Sequence, residues 1–511
     1  MILTTIILIP AVAGLLAWPL ARASETAARW LALLANIATL VIGISIWLTE
    51  LGSLDMGTAG EWIVGERWQW IPRFGINFHL AVDGLSLLMV LLTSFLGAVS
   101  VIISWNEITE RVGFFHFNLL WILAGINGVF MSMDLFLFYF FWEIMLVPMY
   151  FLIAIWGHER RIYAATKFFL FTQLSGLFML ISILGLYFYN HAVTGHYTFN
   201  YMELRSLTIP IDVARWLMLG FLIAFAVKLP AVPFHTWLAD AHTEAPTAGS
   251  VILAGLLLKT GAYGLIRFVL PLFPDAAHEI APLAMTIGVI GILYGALLAF
   301  GQTDLKRLVA YTSVSHLGFV LLGVFAFTEL SMQGAIMEMI CHGLSTGGLF
   351  ILVGALQQKT HTRDMNEMGG LWGQIPRMGG LAMFFALASL GLPGLGNFVG
   401  EFLVLIGSFD VATWLTVLAA VGLVAATIYS LWIMQRVFHG EKRKDYKITD
   451  LPLHHTVVLG AMIIVLVWLG LYPRPILNTS RPTVTKVQEM MKSQQTTELE
   501  SSTHAFEGQR R

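Results

Sequence analysis

Runs of about twenty apolar residues recur along the whole chain, beginning with MILTTIILIPAVAGLLAWPL. A helix crossing ~30 Å of hydrocarbon needs ~20 mostly apolar residues. In lipid, each backbone amide must find its partner within a helix or a closed barrel. Runs of this length select helices. Fourteen candidate spans lie near 2–20, 29–49, 83–105, 113–131, 134–156, 163–189, 213–241, 246–268, 281–300, 306–327, 331–357, 376–409, 411–438 and 454–472. The expected fold class is therefore an all-α, polytopic membrane protein of about 14 transmembrane helices. The first run lacks a charged leader and an A-x-A cleavage site, and reads as a retained span rather than a signal peptide. The 511 residues are 57% hydrophobic and 12% charged, against about a quarter charged in soluble proteins.

Loop charge orders these spans. One set of alternate loops, starting after the first span, holds sixteen Lys and Arg residues, and the opposite loops hold five. By the positive-inside rule both termini are expected on the non-cytoplasmic side. Six more basic residues follow the last span, four of them in a polar tail (TKVQEMMKSQQTTELESSTHAFEGQRR) that reads as surface helix or disorder. Only Lys228 and Lys259 remain within spans on this count.

Two spans are interrupted: the seventh at KLPAVPFH and the twelfth at SLGLPGLGNFVGEF. LSGLFML in the sixth span is echoed by LSTGGLFIL in the eleventh. Each echo is five spans apart, an odd number, so the second copy is expected upside down. Inverted repeats with a broken helix in each half recur in transporters, with ion sites at the breaks. The expected division is 1–112 (spans 1–3), 113–268 (first inverted repeat, spans 4–8), 269–440 (second, spans 9–13), and 441–511 (last span and tail).

Four ionisable residues sit deep in apolar surroundings: Glu143 in the fifth span, Lys228 before the first break, Lys259 in the eighth span and Glu401 after the second break. A charge at the bilayer centre costs ~2.5–3.5 kcal/mol on insertion scales. These residues must face an interior where they pair or meet water. A structural ion pair between Glu143 and one of the lysines would account for two of them; four, two beside helix breaks, point to an ion path. Freed carbonyls at a break are tolerated only within protein or against a water-filled cavity. His316 and His342, on the tenth and eleventh spans, could take a proton on one nitrogen while releasing one from the other, or could be satisfied core residues. His235, Asp240, His242 and Glu244 match no strong metal spacing and read as a proton entrance or a helix cap.

Several functions are excluded. A net charge of −2 gives no basis for nucleic-acid binding, and the single cysteine, Cys341, cannot form a disulfide or Fe–S site within the chain. No Walker A motif, Rossmann fingerprint or axial His pair for haem occurs. The energy source is expected to be an ion gradient or a partner.

Glu143, the KLPAVPFH–WLADAHTEAP run, TDLKRLVAYTSVSHLG and LPGLGNFVGEF together resemble the antiporter-like subunits of respiratory complex I, the proton-translocating NADH–quinone oxidoreductase. The likeness extends to relatives in multisubunit Na⁺/H⁺ antiporters and membrane hydrogenases. It covers the chain from about the third span onward. Glutamate at position 401, where L- and N-type subunits carry lysine, and the short chain after the last span resemble the bacterial M type. The resemblance implies an ion pair between Glu143 and Lys228, a central relay at Lys259, and an exit through Glu401, with His316 and His342 lining the later relay. It implies no cofactor on this chain: flavin, Fe–S clusters and quinone would belong to partner subunits. It also implies L- and N-type neighbours, and a place in the bacterial inner membrane with both termini periplasmic.

The expected mechanism turns on Lys228. Held charged by Glu143 in a poorly solvated site, it would release its proton when that partner turns away or is neutralised. A thousandfold change in proton affinity corresponds to ~4 kcal/mol, about the cost of moving one proton against ~180 mV. The alternatives are a subunit of a Na⁺/H⁺ antiporter or membrane hydrogenase, a self-contained secondary transporter, and a structural scaffold.

Overall fold

The computed structural model describes residues 1–55 and 61–508, with side chains for 1–50 and 61–492. Twelve of its helices are long and apolar enough to cross a membrane. The expected seventh and twelfth spans are not among them, because each is two shorter helices: Ile211–Lys228 with Thr236–Glu244, and Pro376–Ser389 with Gly396–Phe409. Fourteen crossings are reached only by counting each broken pair as one.

Both breaks have a chemical cause. Pro230 and Pro233 lack the amide hydrogen a helix needs, and the proline ring clashes with the carbonyl four residues back. The carbonyl of Val227 finds another donor, the indole Nε1 of Trp237 at 3.0 Å. In the second break Pro393 follows Gly391, and Gly391 and Gly394 adopt the left-handed backbone open to glycine. A third break was not expected. The fifth span divides into Leu135–Ile144 and Leu146–Trp156, with Pro148 four residues beyond the Ile144 carbonyl, so Glu143 lies at a helix end. The eighth span, Thr247–Leu272, is continuous but contains two π turns, Leu253–Leu257 and Leu265–Val269, on either side of Lys259.

One end of the bundle carries the only β-sheet among the described residues. Strands β1 (Val64–Ile71) and β2 (Ile76–Val82) form an antiparallel hairpin, an addition to the all-α expectation. Trp68 stacks on Phe78 across it at 5.1 Å. The Met1 ammonium pairs with Glu66 of β1 at 2.7 Å, and the buried Asp134 carboxylate accepts from the Asn77 amide of β2 at 2.9 Å. Asp83 caps the third span through the Ser86 amide, pairs with buried Arg267 of the eighth span, and accepts from Thr483 at 2.8 Å. Thr483 belongs to the helix Arg474–Gly508, which covers most of the expected tail. The tail is thus a docked helix as far as its side chains are described, with Val484, Val487 and Met491 buried.

The opposite end is held by charges from the basic loops. Asp240 meets Lys167 at 2.7 Å and Arg307 at 2.9 Å, and Asp304 meets Arg363 at 3.0 Å. Two residues counted as loop charges in the sequence are in fact interior: Arg267, paired with Asp83, and Lys306, whose ammonium donates to the Ala245 carbonyl.

Removing one partner of a buried ion pair leaves an uncompensated charge and costs ~3–5 kcal/mol, whereas an exposed pair contributes ~0–1 kcal/mol. Asp83→Ala is therefore expected to lower the thermal unfolding midpoint of the detergent-solubilised protein markedly. Glu279→Ala, which breaks the exposed 2.7 Å pair with Arg215, should barely change it. Equal midpoints in the two variants would refute this account of the hairpin end.

Candidate functional site

Lys228 ends the helix Ile211–Lys228 because the prolines stop that helix one turn later. Its side chain is 1% exposed. The ammonium lies over the Trp142 ring, 4.9 Å from its centroid, with the Phe168 ring at 5.8 Å. The direct ion pair with Glu143 that the resemblance implies is not formed. Glu143 instead reaches Tyr139, one turn back, and Gln173 on the sixth span. Its other oxygen faces Gly176, where a Cβ would sit only 2.8 Å away. Glu143 and Lys228 remain within electrostatic reach of one another, with the adjacent Trp142 presenting its ring to the ammonium. A desolvated cation on an indole face is worth ~2 kcal/mol or more, which offsets part of the cost of burying an unpaired ammonium.

The eighth span comes very close to this break. A Cβ at Gly261 would lie 2.7 Å from the Phe225 carbonyl and 2.8 Å from the Leu229 amide. Glycine here lets the Lys259 helix lie directly against the Lys228 helix end. Gly261→Val is expected to lower the thermal midpoint of the solubilised protein, since overpacking a well-filled core costs ~1–3 kcal/mol. An unchanged midpoint would show that the two backbones can separate freely.

From Lys259 onward, polar groups line a buried file, interrupted at His342 Nε2, which has no hydrogen-bond partner among the described residues. The Lys259 ammonium meets His342 Nδ1 at 2.6 Å and donates to the Ala254 carbonyl inside the first π turn. π turns leave local carbonyls without their helical amides, so one is free to accept from the lysine. The His342 and His316 rings lie 5.6 Å apart, edge to face. His316 Nδ1 is 2.8 Å from Glu401 Oε1, and its Nε2 is 3.2 Å from both Ser389 Oγ and Tyr429 Oη. Ser389 precedes the second break and Glu401 follows it, so both halves of the broken twelfth span contact one imidazole.

The structure thus brings together four of the six candidate residues, Lys259, His342, His316 and Glu401, and places the other two, Lys228 and Glu143, in the first half. Among the described residues no hydrogen bond joins Lys228 to Lys259. One interior charge escaped the sequence reading: Glu338, 0% exposed in the helix Glu329–Thr360. Its Oε1 lies 3.7 Å from His316 Nδ1 and accepts from Asn397 at 3.4 Å. The signal was present, a glutamate in AIMEMICHG one helical turn before His342, under the same criterion that singled out Glu143. Around the seventh-span cluster, Glu244 accepts from the Arg160 amide at 2.8 Å and so caps the start of the sixth span. His242 is buried and stacked on Phe350 at 4.6 Å.

Residues 132–428 match the family model described as NADH:quinone oxidoreductase/Mrp antiporter, TM. The chain is 54% identical over 501 residues to NADH-quinone oxidoreductase subunit M of Pseudomonas aeruginosa, covering 96% of this chain and 98% of the relative. It is 53% identical over 507 residues to the Escherichia coli K12 protein of that name, covering 97% and 99%. Among solved structures it resembles a chain of respiratory complex I from Thermus thermophilus, with a TM-score of 0.86 and 29% identity over 96% of this chain and 100% of that one. A chain of the Mrp complex from Dietzia sp. shares the fold, with a TM-score of 0.80 and 21% identity over 96% and 100%. The chain therefore belongs to the NADH:quinone oxidoreductase/Mrp antiporter family of membrane proteins, among its subunit M members.

Proposed function

We propose that this chain is the proton-translocating M-type membrane subunit of a bacterial NADH–quinone oxidoreductase, and that Lys228, Lys259, His342, His316 and Glu401 carry the proton, with Glu143 setting the charge of Lys228. The observation that supports this most directly is the buried file from Lys259 to Glu401, whose contacts are 2.6–2.8 Å at its two ends. Each member sits on a helix that is broken or π-distorted, or packs against one that is. Broken backbone of this kind is tolerated at membrane depth where it lines a hydrated interior, and water completes proton transfer between groups that do not touch.

In this reading the cationic site at Lys228 has two settings. With the ammonium on Trp142 and the Glu143 carboxylate turned toward Tyr139 and Gln173, its charge lacks a direct counter-ion. A swing of Glu143 toward Lys228 makes the pair and favours the charged lysine, and a return swing releases the proton toward Lys259. Redox energy comes from quinone reduction in partner subunits, which hold the flavin and Fe–S clusters. L- and N-type subunits flank this chain in the inner membrane, and both termini face the periplasm. Residues 113–268 and 269–440 act as two inverted halves of five spans each. Similar helix breaks at 229–235 and 390–395 favour this division. The likeness to an Mrp subunit is one of fold, so sodium–proton exchange stays the second reading. Copurification separates the two: flavin- and Fe–S-containing subunits for the first, small antiporter subunits alone for the second.

Glu143→Gln and Lys228→Ala are each expected to cut proton-coupled NADH–quinone turnover at least ~10-fold, equivalent to ~1.4 kcal/mol of barrier, in complexes that still assemble. Normal turnover and normal vesicle acidification in both variants would sink the assignment. Glu401→Gln should be damaging and Glu401→Lys milder, because the latter keeps a titratable group. Full activity in both would make Glu401 structural. Trp142→Leu should retain assembly yet slow turnover, since it removes the ring under the ammonium but no titratable group. Turnover at the wild-type rate would remove Trp142 from the mechanism.

A further inference from the structure

The end of the file holds more acid than one imidazole can serve. Glu401 and Glu338 approach His316 from two helices, and one donor atom from each of the three residues lies within 4.8 Å of the other two. Both carboxyl groups face the same ring atom, Nδ1, at 2.8 Å and 3.7 Å. That nitrogen carries at most one hydrogen, so it can donate fully to one carboxylate. Glu338 has one further donor, the Asn397 amide at 3.4 Å, which also donates to Ser345 at 3.1 Å. The second oxygen of each acid has no protein donor, although both side chains are about 1% exposed or less.

The pair is held there by close packing. A Cβ at Gly400 would fall 2.8–3.0 Å from the amide nitrogen, Cα and Cβ of Glu338, so glycine beside Glu401 lets the two helices meet at this level. The charged and titratable groups around Glu338 are Lys259 from the eighth span, His316 from the tenth, Glu401 from the twelfth and Tyr429 from the thirteenth. His342 and Cys341 share its own helix. Lys259 is the one cation among them that interacts with Glu338, and it is already bound to His342. Two adjacent buried carboxylates with so few donors cannot both stay ionised at modest cost; such pairs hold one proton between them.

We infer that Glu338 is a further proton-carrying residue, which with Glu401 forms a carboxylic acid–carboxylate pair sharing one proton across His316. This rests on the relay reading above and extends its last station. A proton leaving Lys259 passes to His342 Nδ1, and His342 releases one from Nε2. His316 then takes a proton and gives one to the ionised member of the pair. The pair becomes fully protonated, and loss of one proton on the far side returns it to its shared state. No bond other than those to hydrogen forms or breaks.

The test uses the assembled complex in membranes, with Glu338→Gln, Glu338→Asp, Glu401→Gln and the double glutamine variant. Infrared difference spectra should show a protonated-carboxyl stretch, sensitive to deuterium exchange, in the wild type. If one proton is shared, either single glutamine variant removes that band, because the remaining acid becomes the ionised partner of His316. Proton-coupled turnover should fall by a similar factor, at least ~10-fold, in each single variant, with the double variant no worse, as for residues that act as a unit. Glu338→Asp should recover the band and much of the rate. A band that persists in Glu338→Gln while Glu401→Gln is impaired overturns the shared pair and leaves the relay standing. Losses that multiply in the double variant, or a Glu338→Gln defect that aspartate does not relieve, also overturn it. Full turnover and pumping in Glu401→Gln would instead bring down the relay reading itself.

Discussion

The cost of keeping an ammonium group away from water shapes the interior of this protein. Lys228 and Lys259 are both fully buried, and the structure meets their cost in different ways. Lys228 rests on an indole face with its carboxylate at a distance, whereas Lys259 donates to a histidine and to a backbone carbonyl. The first arrangement is weakly satisfied and responds to a small movement of Glu143. The second is tightly bonded and suits a group that passes a proton onward. A difference in pairing thus separates a switch from a conduit, although the two residues are chemically alike.

Those pairings depend on helices that are not ideal. Prolines end one helix at Lys228 and leave Glu143 at the end of another, while π turns free the Ala254 carbonyl for Lys259. In a hydrocarbon surround each freed backbone group would cost several kcal/mol, so these defects survive only because other helices enclose them. The Val227 carbonyl, released by the break, is taken up by the Trp237 indole. Glycines at 261 and 400 then bring neighbouring helices against the defects. At the hairpin end, Asp83 ties the third span, the eighth span and the C-terminal helix to one carboxylate. That anchor fixes the far end of the helix whose middle carries Lys259.

Much of this was legible along the chain. The apolar runs, the two broken spans and the six candidate residues could be read because lipid imposes a length and penalises unpaired charge. The count of spans was less direct, since the seventh and twelfth spans are each divided between two helices. The hairpin was missed because Val64–Ile71 and Ile76–Val82 are short strands between long hydrophobic runs. Arg267 and Lys306 looked like loop charges because each lies near the end of a span, where burial depends on what packs alongside.

The sequence by itself determined that this is a membrane protein, where two of its spans break, and that Lys228, Lys259 and Glu401 must lie inside, because each follows from the free energy of placing backbone or charge in hydrocarbon. It also carried the motifs of the subunit M family. Tertiary structure alone decided the pairings: Lys228 on Trp142 rather than Glu143, Lys259 on His342, and two glutamates on His316. The residues of most of these pairs lie more than 80 positions apart, and periodicity says which side of a helix faces inward but not which neighbour it meets. That choice is made by side-chain direction and by how closely glycine lets two helices approach.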